Sequence, residues 1–243
     1  MPAVEPEVGA RGSKEKAMKG KIYVAISVLV SGIASAAYAQ MGMDLFRKPS
    51  ITKAFHPVVG KGAQYETSGK GGGAKTHTME MGIVGKESVD GKDGYWMEFV
   101  SSDDKGQTMV GKSLLTVDDF QFHKMIIQPP GQGAMEMPAN MMTRNRQKMD
   151  ESLSEWHSAG TDTITVPAGT FSCEHWKNEK DGSEAWTSEK VVPFGMVKES
   201  GKDSSMVLLK VIDDFPERIT GPVKQFDMQQ MMQQQMQQRQ AKP

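Results

Sequence analysis

The chain has one cysteine, almost no net charge and no apolar run long enough to cross a membrane. Cys173 is the single cysteine, so no internal disulfide can form. A formal net charge of −1, from 29 basic and 30 acidic side chains, leaves no basic stripe of the kind a nucleic-acid partner requires. The five histidines show no zinc spacing, and HExxH, paired-cysteine, GxSxG and Rossmann glycine patterns are absent. Asp103–Asp104 and Asp118–Asp119 fall in turn-like stretches, where aspartate serves the backbone. Cys173 and His175 share a strand face and could act as a ligand pair, but a buried thiol beside a hydrogen-bonded imidazole is the plainer reading. The chain is therefore read as a non-enzyme with no cofactor.

The N-terminus is more informative. Lys19 and Lys21 precede an apolar run from Ile22 to Ala34, and Ala37, Tyr38 and Ala39 give a small-x-small cleavage pattern. The run falls short of the roughly 18–20 residues of a membrane anchor. Residues 1–39 are thus expected to be a signal-peptide region cleaved between Ala39 and Gln40, with the true start at Met18. The product is expected in the periplasm or outside the cell. Its formal charge is −3, since residues 1–39 hold five basic and three acidic side chains.

Beyond Gln40, 21 of the chain's 25 glycines and short alternating runs argue for β structure. The stretch Thr163–Gly201 carries the pattern most clearly. Ile164 and Val166 alternate with Thr163 and Thr165. Pro167 and Gly169 form a turn, Phe171, Cys173 and His175 share a return face, and Trp176 lies opposite. Asp181–Gly182 turns again, before Glu184–Ser188, and Pro193 and Gly195 break the chain ahead of Met196–Glu199. Gly62–Ser68, Thr76–Val84, Tyr95–Val100, Thr108–Val117 and Phe120–Ile127 read as further strands. Turns are expected at Gly69–Gly73, Asp90–Gly94, Asp103–Gly106 and Asp118–Asp119. Gln128–Gly133 ends the first half. Met206–Ile212 is apolar on both faces and needs cover on each, from helices or a bound guest. Short helices are expected over Met41–Phe55, interrupted at Pro49, and after Asn140 through Met142, Met149, Leu153 and Trp156. Residues 40–224 form one β domain, and 225–243 is a Gln/Met-rich tail, flexible or a frayed helix, that could contact an envelope protein partner.

The segment VPAGTFSCEHW, with EAWTSEKVVPFGMVKES and MVLLKVI, resembles secreted bacterial proteins that are similar to the LolA/LolB-like periplasmic lipoprotein carriers. Its marks are Val166, Pro167, Ala168, Gly169, Thr170 and Phe171, then Trp186, Ser188, Val192, Pro193, Gly195 and Val197. The resemblance implies a mainly β fold: a single strongly curved antiparallel sheet, an incomplete β-barrel, with a few helices plugging an apolar hollow for acyl chains. No cargo-contacting residue transfers, because no motif here matches one.

The first expectation is a periplasmic protein sheltering a lipid or lipoprotein acyl chain, with ligand contacts from Met79, Met81, Trp96, Phe99, Phe122 and Trp186. The alternative is a non-catalytic envelope structural or interaction protein with a filled β core. A third reading takes the clusters Met135, Met137, Met141 and Met142, and Met228, Met231, Met232 and Met236, as soft copper ligands. The same thioethers also serve as adaptable apolar filler.

Overall fold

Tight turns set the register from which the rest follows. In this computed structural model, residues 54–69, 75–102, 106–137, 156–202 and 204–225 are described. They form β1 (Gly62–Gly69), β2 (Lys75–Val89), β3 (Lys92–Ser102), β4 (Thr108–Thr116), β5 (Phe122–Gln128) and β6 (Met135–Glu136). Then come β7 (Trp156–Val166), β8 (Gly169–Asn178), β9 (Glu184–Thr187), β10 (Met196–Ser200), β11 (Ser204–Ile212) and β12 (Lys224–Gln225). Asp90 and Gly91 both have positive φ, at 51° and 80°, which gives β2 and β3 a two-residue hairpin matched to strand twist.

All twelve strands belong to one open, curved sheet in the order β12-β6-β5-β4-β3-β2-β1-β11-β10-β9-β8-β7. Every pairing is antiparallel except β12 on β6. At the other end the sheet rolls up enough for β7 to approach β10 and β11, although two strands separate it from β10 in the order. The mainly β, singly curved, unclosed architecture expected from the sequence is therefore the one observed. The described residues hold no helix beyond a helical position at Ala54. The expected helices fall on 41–53 and 140–155, outside the described residues, as do the signal-peptide region and the tail after Gln225. Trp156, expected to close a helix, opens β7 instead.

Two apolar clusters lie on the two faces of the sheet. The larger takes Ala63 and Tyr65 from β1, Met79, Met81 and Ile83 from β2, and Met97 and Phe99 from β3. It continues through Leu115, Phe171, Trp176, Trp186, Met196, Met206 and Leu208. Register draws one row of this inner face as Val211, Ala63, Met81, Phe99, Gly111 and Ile127. Gly111 is glycine because the Phe99 ring fills its side-chain space: an added Cβ would lie 1.9 Å from Cζ.

The outer face carries the smaller cluster, Val100, Val110, Ile126, Ala134, Phe215 and Ile219. It is covered by the irregular segment 213–223, which follows a second row: Ile212, Gly62, Gly82, Glu98, Lys112, Ile126 and Glu136. Phe215 lies over Gly62 and Gly82, where any Cβ would come within 2.5 Å of its ring. Glu98 is fully buried, and its two carboxylate oxygens accept the backbone N–H groups of Arg218 (2.8 Å) and Ile219 (3.0 Å). Arg218 pairs with Glu80, and Lys112 with Glu217. Beyond this strap, Lys224 N–H donates to Ala134 O at 3.0 Å and β12 adds to the sheet edge. Part of the cover that β11 was expected to need on its second face is supplied, for Ile212, by the chain's own segment 213–223.

Strap and sheet should stand or fall together. Gly82→Val forces the Phe215 ring away and should cost on the order of 1–3 kcal/mol, read as a lowered urea midpoint. Glu98→Ala strands the buried N–H of Ile219 and the half-buried N–H of Arg218, should cost roughly 1–3 kcal/mol and should open 213–223 to protease, whereas Glu98→Gln keeps an acceptor and loses less. A second test concerns acid. Hydrogen bonds from Lys92 (2.7 Å) and Thr116 hold Asp119 down to a pKa of about 2. A depressed folded pKa means the contribution is full above the ordinary carboxylate value and is lost as pH falls through about 2. The pair is partly solvated, so Asp119→Asn should flatten the acid limb of a stability–pH curve between about pH 4 and 2 by no more than ~1 kcal/mol.

Candidate functional site

The residues expected to line a hollow are divided between the two faces. Met79, Met81, Phe99 and Trp186 come together on the inner wall, at 8%, 1%, 6% and 8% exposure. Phe122 lies at the margin of that wall, half-buried, where it meets Phe120 edge to face at 6.1 Å. Trp96 sits on the opposite face. It packs against the outer cluster and donates its Nε1–H to Glu87 at 2.8 Å, with Lys112 and Lys124 over its ring at 5.1 and 5.7 Å. Alternation along β3 places it there, opposite Met97 and Phe99.

Along the inner wall Ile83, Met97, Leu115, Met196 and Leu208 are all at 0% exposure, shielded from bulk solvent. Phe194 and Phe55 pack with ring centres 5.0 Å apart and planes tilted by 32°, and Phe120 meets both rings. Two hydroxyls inside this packing, Tyr65 Oη and Ser113 Oγ, are buried without a hydrogen-bond partner. Burial pushes the Tyr65 phenol well above its ordinary pKa.

A cluster that the sequence did not single out lies on β7, β8 and β9. Asp162 Oδ2 accepts from Trp186 Nε1 at 3.0 Å and lies 2.9 Å from His175 Nδ1. The imidazole stacks on the Trp186 indole at 4.6 Å and 17°, with Lys198 Nζ 5.1 Å from the same indole. His175 Nε2 is buried and stands 3.7 Å from Glu184 Oε1, too far for a hydrogen bond. Asp162, His175 and Trp186 are neighbours only because β7, β8 and β9 pair in this register. The sole sequence signal was that His175 follows Cys173 on one face.

Among the described residues no activated thiol lies beside this dyad. Cys173 is 2% exposed, and burial together with the negative charge of Asp162 pushes its pKa up to about 11. A reactive cysteine needs the reverse, a positive and partly open surrounding. Among the described residues no group of three or more His, Cys, Asp or Glu is placed to hold a metal ion. Of the methionine clusters read as soft copper ligands, Met135 is half-buried in β6 and Met137 N–H donates to Met125 O at 2.7 Å. Met141, Met142 and the methionines after Gln225 lie outside the described residues.

No family model matches the chain, and no curated protein matches it. Two solved structures have a related layout. One is a candidate lipoprotein from Parabacteroides distasonis, 14% identical, with 65% of this chain and 97% of that chain covered and a TM-score of 0.37. The other is a candidate exported protein with a YmcC-like fold from Bacteroides fragilis, 12% identical, with 65% and 98% covered and a TM-score of 0.36. The relation is distant and unspecific, carries no functional argument, and does not single out the lipoprotein carriers.

Chemical reactivity checks the environment of Cys173. With a pKa of about 11, roughly one thiol in a thousand is ionised at pH 8. Iodoacetamide should therefore leave the native protein unmodified over a period in which the urea-unfolded protein is fully alkylated. Fast labelling of the native state would contradict the buried assignment.

Proposed function

We propose that this chain is an exported, non-catalytic envelope protein whose curved sheet is a filled scaffold and whose work is done at its surface. The observation that supports this reading is the inner wall, where Met81, Ile83, Met97, Leu115 and Leu208 are covered by the protein's own side chains. Export rests on the signal-peptide pattern of residues 18–39. Partner contact through the Gln/Met segment 225–243 belongs to the same proposal.

A second reading, shelter of an acyl chain, is favoured by the orphaned hydroxyls. Tyr65 Oη and Ser113 Oγ are unpaired on a wall rich in methionine, an adaptable side chain. Each unpaired hydroxyl costs about 1–3 kcal/mol, and the ester or carboxyl oxygen of a lipid would satisfy one. In that case Met79, Met81, Phe99 and Trp186 would move aside for the chain, each methylene of which gains about 0.8 kcal/mol on burial.

One pair of measurements separates the two. A filled scaffold predicts a single apo mass in native mass spectrometry after gentle purification, and no saturable binding of a fluorescent fatty acid. It also predicts that Tyr65→Phe leaves stability unchanged or slightly raised, because an orphaned polar group is removed. A carrier predicts a co-purifying lipid mass, and fatty-acid affinity that falls about tenfold in Tyr65→Phe.

A further inference from the structure

The polar face of the β7–β9 end carries a cleft that neither the inner wall nor the strap accounts for. Register sets Thr161 opposite Glu174, and Glu174 opposite Thr187, so that one row crosses three strands. Ser172 and Trp176 flank Glu174 on the same side of β8. With the turn that holds Glu189 and Lys190, these residues line a cleft of about 360 Å³. That size falls in the range of small-molecule sites. Trp176 is pinned there, its Nε1–H donating to Thr187 Oγ1 at 3.1 Å.

The lining has a definite chemistry. Thr161, Ser172, Glu174, Glu189 and Lys190 are all exposed, and none engages its side chain with another residue of the protein. Two carboxylates against one ammonium leave the cleft with a net charge of −1, which disfavours a phosphate or carboxylate ligand. An acyl chain would leave five polar groups unpaired. Hydroxyl groups on a ligand both donate to the carboxylates and accept from Lys190, Thr161 and Ser172. The Trp176 indole, 3% exposed, closes the floor beneath them and presents no open ring face.

We propose that this cleft binds a single sugar ring that is neutral or carries an ammonium group. The cleft borders the larger apolar cluster at its floor, through Cys173 and Trp176, and its fate does not decide between the scaffold and carrier readings.

The test is an amide-resolved NMR titration of the mature chain with glucosamine, glucose and glucose 6-phosphate as probes. Glucosamine and glucose should shift the resonances of Ser172–Trp176 and Thr187–Lys190 saturably, with glucose 6-phosphate weaker by about tenfold or more. Glu174→Gln, an exposed substitution that leaves the fold intact, should weaken glucosamine by about tenfold while the inner-wall resonances stay in place. Lys190→Ala should weaken glucose without opening the cleft to the phosphate ester. The proposal is overturned if no sugar gives a saturable shift, if the shifts map elsewhere, or if Glu174→Gln leaves glucosamine affinity unchanged.

Discussion

The two hydrogen bonds that Glu98 accepts from the backbone of Arg218 and Ile219 hold the outer half of the molecule together. A single sheet with apolar residues on both faces must be covered twice, and here the second cover is a strip of irregular chain. Such a strip has no ladder of its own to satisfy its N–H groups. A carboxylate with no exposed surface is tolerable only where donors and cations surround it. Glu98 has two N–H donors and has Lys112 opposite it on β4, while Arg218 pairs with the neighbouring Glu80. The outer row is thus a track cut to fit: glycines beneath Phe215, an acceptor beneath 218–219, and Ile126 among the residues that pack with Ile219.

The inner face reaches the same end by other means. Methionine supplies much of its bulk through Met79, Met81, Met97, Met109, Met196 and Met206. An unbranched thioether can fill the uneven space inside a strongly curved sheet, where β-branched side chains would clash or leave gaps. This accounts for part of an unusual methionine content without calling on a metal.

Strand alternation and turn chemistry made the architecture legible. Ile164 and Val166 against Thr163 and Thr165, and the Pro167–Gly169 turn, lie where their pattern put them. The arms of β2 and β3 run further than expected, so that the Asp90–Gly94 turn shrinks to Asp90–Gly91. Lys86, Ser88, Lys92 and Asp93 project into solvent on this arm, and a strand wet on both faces shows no apolar period. The same holds for His157–Thr163 on the edge strand β7, where only backbone pairing with β8 marks the strand. The site was less readable. Alternation grouped Met79, Met81 and Phe99 correctly on one face, but no local pattern says that another part of the chain will cover that face. The strap also escaped notice, because Phe215, Arg218 and Ile219 have no period, and their partners lie more than a hundred residues earlier. Thr161, Glu174 and Thr187 form a row only in three dimensions.

The position of β1 has a consequence for how the molecule is made. Residues 62–69 occupy the middle of the sheet and pair on one side with 204–212, more than a hundred residues further along the chain. A chain made from its N-terminal end must hold that strand half-matched until the segment 204–212 has followed it. Closure over such a span is slow, because its entropic cost precedes its reward. The nascent molecule therefore passes through an interval with an open seam down its centre and its thioether-rich lining wet. Any helper that shields strand edges would act most strongly in that interval.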